Sequence, residues 1–191
     1  KIRGIKSADR IDQVRAEMRR NWTGFKIALK PVPGREAEIL SELSYLLIDA
    51  QAPSVASGRN IRPLTLVIEE MNTAFPVAGG ESKCKGFAEL CSRGRHSYIE
   101  MIGASQRMAE VATRFRGNCT ETVVFAQKWA GDVKAAKMEL GLGLEQSGHS
   151  VEALKPYVET VRGKKTKVLP YLHEIDGEVT AGAIRWPEKK T

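Results

Sequence analysis

Two adjacent carboxylates end an apolar stretch in the first half of the chain. The stretch Leu64–Glu70 reads Leu-Thr-Leu-Val-Ile-Glu-Glu, which predicts a buried strand with both acids at the edge of a sheet. In proteins that hydrolyse nucleotides, one such carboxylate holds the water shell of Mg²⁺ and another orients or deprotonates the attacking water. We therefore expect Glu69 and Glu70 to be site residues. The alternative is an ordinary core strand that ends in a solvated acidic turn.

A polar triplet, Ser105-Gln106-Arg107, closes the next strong strand signal, Tyr98–Ser105. Ligands of parallel α/β sheets bind outside the carboxyl ends of the strands. Gln106 would therefore lie at the same edge as Glu69 and Glu70. This shared edge is the first reason to treat the three residues as one site.

The elements that must position these residues alternate between strand and helix. Strands are predicted at Ile2–Lys6, Phe25–Leu29, Leu64–Glu70, Tyr98–Ser105 and Thr122–Ala126, and helices at 11–18, 35–50, 87–91 and 108–115, with a connecting loop over 51–62. This alternation indicates βαβ units and an α/β fold in which helices flank a mostly parallel sheet.

The pattern changes after residue 130. We expect helices at 132–140 and after the Ser150 cap, then a basic run over 162–167. Asp176-Gly177 predicts a hairpin between Tyr171–Ile175 and a stretch that ends at Trp186. The sequence therefore predicts a core domain over residues 1–130 and a helical and hairpin appendage over 131–191.

Composition limits the classes of protein that fit. A chain of 191 residues, 42% hydrophobic, can build one sizeable core, and a net charge of +7 favours an anionic partner such as nucleic acid. The three cysteines form no metal-binding or disulfide pattern, which fits a reducing compartment. No apolar run reaches the about 18 residues of a membrane span, so we expect a cytoplasmic protein.

Residues 64–126 resemble the second half of the FtsK/HerA superfamily of ring-forming P-loop ATPases. In that family an Arg ends a helix, an apolar strand follows and closes in a Thr-Gln-Arg type triplet, and an Asn precedes the next strand. Arg93 or Arg95 matches the Arg, Ser105-Gln106-Arg107 matches the triplet, and Asn118 matches the Asn. Leu64–Glu70 stands where the family has its Walker B strand.

The resemblance implies a RecA-like core and a role for each matching residue. Glu69 would bind Mg²⁺ through water, Glu70 would be the catalytic carboxylate, and Gln106 would sense the γ-phosphate of ATP or position water. The resemblance also implies a ring of subunits, which for this family suggests a hexamer. Each subunit would lend an arginine to the nucleotide of its neighbour. Arg93 and Arg116 are the favoured candidates for that arginine, and the other candidates are Arg95, Arg107 and Arg114.

The chain contains no G-x-x-x-x-G-K-[ST] phosphate-binding loop. The segment Gly79–Gly86 has misplaced glycines and lysines and is expected to be an active-site or pore loop, with Lys83 and Lys85 as nucleic-acid contacts. The family has its P-loop in the first βα unit, so we expect it upstream of Lys1. The fragment alone should then bind ATP poorly.

Two functions follow from these patterns. The first is an ATP-driven nucleic-acid translocase, with viral DNA packaging as the expected duty, acting in the host cytoplasm or the virion. The second is a non-catalytic basic α/β module that binds nucleic acid or docks in an assembly and has lost the phosphate loop.

Overall fold

The computed structural model describes residues 4–187 and confirms a mixed α/β chain. Its contacts divide it into two compact units. The N-unit runs to Gln106 and also includes Glu110–Phe115, and the C-unit comprises Arg107–Ala109 and the chain from Arg116 onward. No helix within this range is both long and apolar enough to cross a bilayer.

Most of the regular elements of the N-unit precede Gln106. Its strands are β1 (Lys6–Ala8), β2 (Ile27–Leu29), β3 (Leu64–Ile68) and β4 (Ile99–Gly103), and its helices are α1 (Ile11–Arg20), α2 (Glu36–Ser57), α3 (Met71–Ala74), α4 (Gly80–Lys83) and α5 (Lys85–Arg93). A 3-10 turn at Gly94–Ser97 follows α5, whereas the 3-10 turn Met108–Glu110 and α6 (Thr113–Arg116) each include residues of both units. The predicted strand Ile2–Lys6 begins outside the described residues.

Helices α2 and α5 pack closely against each other beside the central core of the N-unit. The backbone N–H of Gly86, at the start of α5, donates to the Ser41 hydroxyl of α2 at 2.9 Å. Phe75 and Phe87 are fully buried, and their rings meet edge to face at a centroid distance of 5.0 Å. Such aromatic pairs contribute about 0.5–1.5 kcal/mol beyond the apolar area they bury.

Strands β3 and β4 form the parallel pair that the sequence predicts. Leu64 to Ile68 pair in register with Ile99 to Gly103. The alternation of β3 buries Leu64, Leu66 and Ile68 and leaves Val67 60% exposed. One face of this two-stranded sheet therefore packs on the core, and the opposite face is solvated.

Helix α2 is longer than the sequence predicts. The prediction of a loop over 51–62 is wrong for its first part, because the helix continues through Pro53 to Ser57. The helix ends at Gly58, which has a left-handed backbone (φ 63°). Gln51 is completely buried and its side chain donates to the Arg62 carbonyl at 2.6 Å. Pro53 has no backbone N–H to donate, so the helix continues through it with one backbone hydrogen bond fewer.

The C-unit contains an antiparallel sheet of four strands, covered by a helical segment that is kinked at Gly141, where the backbone is not helical. Its elements are β5 (Glu121–Phe125), α7 (Ala130–Ser147), a 3-10 turn (Val151–Ala153), β6 (Tyr157–Val161), β7 (Lys164–Ile175) and β8 (Glu178–Pro187). Strand β8 pairs with residues 166–175 of β7, and the Asp176-Gly177 hairpin is confirmed. Strands β5 and β6 pair with parts of the same stretch and therefore lie along the other edge of β7.

Two predictions for this region are wrong: the parallel pairing of the strand at 122–126 and the helix after Ser150. The strand at 122–126 was expected in a mostly parallel sheet, but β5 pairs antiparallel with β7. The strand therefore belongs to the C-unit, which comprises Arg107–Ala109 and the chain from Arg116 onward. The basic run at 162–167 lies in the β6–β7 hairpin, and the segment after Ser150 is a single 3-10 turn.

Candidate functional site

The acidic pair lies where β3 ends and is held there by the backbone of β4. The N–H of Ala104 donates to the Ile68 carbonyl at 2.9 Å, and the N–H of Met71 donates to the Ala104 carbonyl at 2.9 Å. These bonds continue the ladder past the last paired residues. They fix the positions of Glu69 and Glu70 relative to the end of β4, and both residues are exposed to solvent.

Glu70 has a left-handed backbone conformation, with φ of 52° and ψ of 51°. A non-glycine residue pays a conformational cost in this region, and such residues cluster at functional sites. The conformation turns the chain sharply from β3 into α3, whose N-terminus Glu70 precedes.

The structure brings Gln106 to Glu70, as predicted from the shared edge. The side-chain amide of Gln106 donates to Glu70 Oε1 at 2.9 Å, across 36 positions of sequence. An ionised carboxylate offers about four lone-pair sites, so this bond orients the group and leaves it capacity to accept from water. The pair is a carboxylate held by an amide at the carboxyl edge of two adjacent parallel strands.

A second polar group, formed by Ser105, Asn72 and Glu110, was not predicted as part of the site. The hydroxyl of Ser105 donates to Asn72 Oδ1 at 2.8 Å, and Asn72 Nδ2 donates to Glu110 Oε2 at 3.4 Å. The position of Asn72, two residues after the acids and on the same turn, was the available signal. Nothing in the local sequence of Glu110 indicated its place here.

The two favoured arginines lie in different surroundings. Arg93 is exposed at the last position of α5. The side chain of Arg116 is only 11% exposed and forms an ion pair with Glu139 inside the C-unit. Donation of Arg116 to another subunit would break that pair, so Arg93 suits the role better.

The other candidate arginines differ in the same way. Arg107 pairs with Asp132, a side chain only 1% exposed, at 2.9 Å. Arg114 pairs with Glu81 at 3.3 Å, with both side chains about half exposed. Arg95 is exposed in the 3-10 turn after α5.

The segment Gly79–Gly86 is helical rather than a loop. Lys83 ends α4 and Lys85 begins α5, and both side chains are exposed. Cys84 between them is completely buried, and burial raises the pKa of its thiol to about 12. Cys84 lies at the junction of α4 and α5 and belongs to the apolar core of the N-unit, so it anchors both short helices to that core.

The acidic edge suits one half of a magnesium–nucleotide site. Within residues 4–187, no three His, Cys, Asp or Glu side chains cluster as a metal-binding group. Mg²⁺ in nucleotide sites uses one or two carboxylates plus phosphates and waters, so the donor chemistry of Glu69 and Glu70 fits it. A backbone cradle for the phosphates is the part for which the sequence has no motif.

No family model matches the chain, and no curated protein matches it.

Proposed function

We propose that the chain is part of an ATP-driven nucleic-acid translocase of the FtsK/HerA type, with viral DNA packaging as its duty. The observation that carries the proposal is the hydrogen bond from Gln106 to Glu70 at the carboxyl edge of β3 and β4. An acid after one strand and an amide after its parallel neighbour are the parts that a nucleotide-hydrolysing edge needs. The order of the motifs along the chain and the contact in the folded structure both support the pairing of Glu70 with Gln106.

Each residue has a task that follows from its position. Bound ATP with Mg²⁺ would supply the phosphoryl group and the charge that activates it. Glu69 would hold water of the magnesium shell, and Glu70 would accept a proton from the attacking water or orient it. Gln106 fixes the rotamer of Glu70 and responds to the γ-phosphate, because its amide can exchange the carboxylate for a phosphate oxygen.

The proposal requires parts that these residues do not supply. A phosphate-binding loop and the remaining strands of a RecA-like core would have to come from residues beyond these 191. The open face of β3 and β4, with Val67 and Ile102 more than half exposed, leaves room for the helices that such a core would add, because parallel sheets are usually covered on both faces. Arg93 would act on the nucleotide of a neighbouring subunit in a ring, a hexamer by family resemblance.

The test is ATP hydrolysis by the full gene product, with and without DNA. Glu70→Gln should lower turnover by at least about a hundredfold while ATP binding persists, because a general base contributes about 10²–10⁴-fold. Gln106→Ala should also lower turnover. Glu100→Gln is the matched control, since Glu100 lies exposed on β4 away from the carboxyl edge and bonds Thr65 at 3.3 Å.

Two results would reject the proposal. Wild-type turnover in Glu70→Gln would remove Glu70 from the mechanism. Nucleic-acid binding without ATP binding or hydrolysis in the full product would favour the second function, a basic α/β module without catalysis.

A further inference from the structure

The antiparallel sheet of the C-unit has one covered face and one open face. Residues directly opposite each other in neighbouring strands point to the same side. Val124, Leu172 and Val179 lie on the side that packs against α7. The other side, which we call the outer face, carries apolar residues that are exposed or only partly buried: Val123, Phe125, Val158, Tyr171, Ile184 and Trp186.

Aromatic rings and lysines share this outer face in register. Lys167 lies directly opposite Val158 on one side and Trp186 on the other, and Trp186 is 60% exposed. Lys165 lies two residues before Lys167 and therefore on the same face. The exposed indole ring of Trp186 thus lies next to Lys167, whose long side chain can extend past the ring.

A second aromatic group lies further along the same face. Phe125 and Tyr171 are directly opposite partners, with ring centroids 5.7 Å apart. A Cβ on Gly182 would meet the Tyr171 ring at 2.3 Å, so the ring lies over β8 where only glycine leaves room. Gly182 and Trp186 are four residues apart on β8, which separates the two aromatic groups by about 14 Å.

Charge is sorted along the sheet. The hairpin over residues 157–168 carries Arg162, Lys164, Lys165 and Lys167 and one acid, Glu159, which pairs with Arg185 at 2.7 Å. The opposite end of the sheet carries acids, at 121, 174, 176 and 178. The basic end is therefore complementary to a polyanion, and it is the end where Trp186 lies.

We propose that the outer face binds single-stranded nucleic acid. Unpaired bases stack on Trp186 and on the Phe125–Tyr171 pair, while Lys165, Lys167 and Arg162 contact the phosphates, which is how sequence-tolerant single-strand sites work. A duplex hides its base faces by stacking. A second copy laid on this face would take Lys165 and Lys167 out of water, which is costly unless an acid of that copy pairs with each of them.

This inference names the form of nucleic acid that the proposed translocase holds in its C-unit, and in that respect it rests on the proposed function. Its residues are separate from Glu70 and Gln106. Binding should therefore be unchanged in Glu70→Gln, so that loss of hydrolysis and loss of binding can be observed independently.

The experiment is fluorescence anisotropy with a labelled oligothymidylate of about 20 nucleotides, compared with a duplex of the same length. Trp186→Ala should weaken single-strand binding by at least about fivefold, and Trp186→Phe should retain most of it, because base stacking survives in Phe. Trp129→Ala is the matched control, since Trp129 is 61% exposed in the C-unit but lies outside the sheet. Circular dichroism verifies that each variant is folded.

A salt series tests the role of the two lysines at the phosphates. Lys165→Ala with Lys167→Ala should reduce the slope of log affinity against log salt by about 1.4, or about 0.7 for each phosphate that is no longer neutralised. Lys128→Ala with Lys134→Ala, at and near the start of α7, should leave the slope close to wild type. Three results would overturn the inference: equal binding by Trp186→Ala and wild type, tighter binding of the duplex, or a wild-type dimer that Trp186→Ala converts to a monomer.

Discussion

Helix α5 approaches α2 closely at Gly86, and Gly86→Ala should destabilise the N-unit. A Cβ there would lie 2.3 Å from the carbonyl oxygen of Ser41 and 3.0 Å from Cδ2 of Tyr45. The first contact is with backbone, so a side-chain rotation cannot relieve it. Helix α5 would have to retreat by about 1 Å to restore ordinary van der Waals contact, which also stretches the 2.9 Å bond from Gly86 N–H to Ser41.

The expected loss is the difference between two effects. Overpacking of this kind costs about 1–3 kcal/mol, and a backbone contact belongs at the upper end. Alanine recovers up to about 1 kcal/mol because it favours a helix over glycine. The net destabilisation is therefore about 2 kcal/mol, which lowers the melting temperature by roughly 4–8 °C in a chain of this size.

The assay is thermal and urea unfolding followed by circular dichroism. Gly24→Ala is the control, because the nearest atoms to its new Cβ are those of the Asn21 side chain at 3.8 and 3.9 Å. It should change stability by no more than about 0.5 kcal/mol. If Gly86→Ala melted at the same temperature as Gly24→Ala, the close packing of α2 and α5 would be refuted.

Two further predictions concern ion pairing and pH. Arg116→Ala should lower the free energy of unfolding in urea by about 2–4 kcal/mol, because it leaves Glu139 largely buried without its partner. Arg114→Ala, at the exposed pair with Glu81, should lower it by at most about 1 kcal/mol. Equal losses in the two variants would contradict the difference in burial. Burial raises the pKa of Cys84 from 9.0 to about 12, so the unfolded thiol ionises first and stability falls between these pH values, by up to about 1.4 kcal/mol per pH unit. Cys84→Ala should flatten that decline in stability measured against pH, and an unchanged slope would show that the thiol does not contribute.

Local patterns predicted the elements whose periodicity was strong. Ile11, Val14 and Met18 stand at helical spacing in the sequence, and in α1 Val14 and Met18 are buried while Ile11 is partly buried. The β3 strand and the hairpin at Asp176-Gly177 were also found where the sequence indicated them. These features depend on side chains close together in sequence, which is why they can be read without the fold.

The candidate site was predicted in part for the same reason. Glu70 and Gln106 each end a recognisable strand, and the parallel pairing of β3 with β4 brings them within 2.9 Å. Asn72 and Glu110 belong to the same polar cluster through contacts that span 33 and 38 positions. Contacts of that length leave no local pattern, so reasoning from sequence missed them.

The strand order could not be obtained from alternation alone. Thr122–Ala126 is as β-like as Leu64–Glu70, yet it pairs antiparallel with a strand about 50 residues later. Propensity indicates that a segment is extended, but the partner and direction depend on which apolar faces can be buried together. Arg116 shows the same limit, because its charge was visible in the sequence and its burial against Glu139 was not.

The amino-acid sequence alone determined the chemistry that is available: two adjacent acids after an apolar strand, a glutamine after the next one, a basic run and an overall positive charge. Tertiary structure decided which of these groups meet. It joined Glu70 to Gln106, confined Arg116 to an internal ion pair, and placed Trp186 beside Lys167 on an open face. The physical reason is that residue type and spacing are local properties, whereas a site forms from long-range packing that closes the chain on itself.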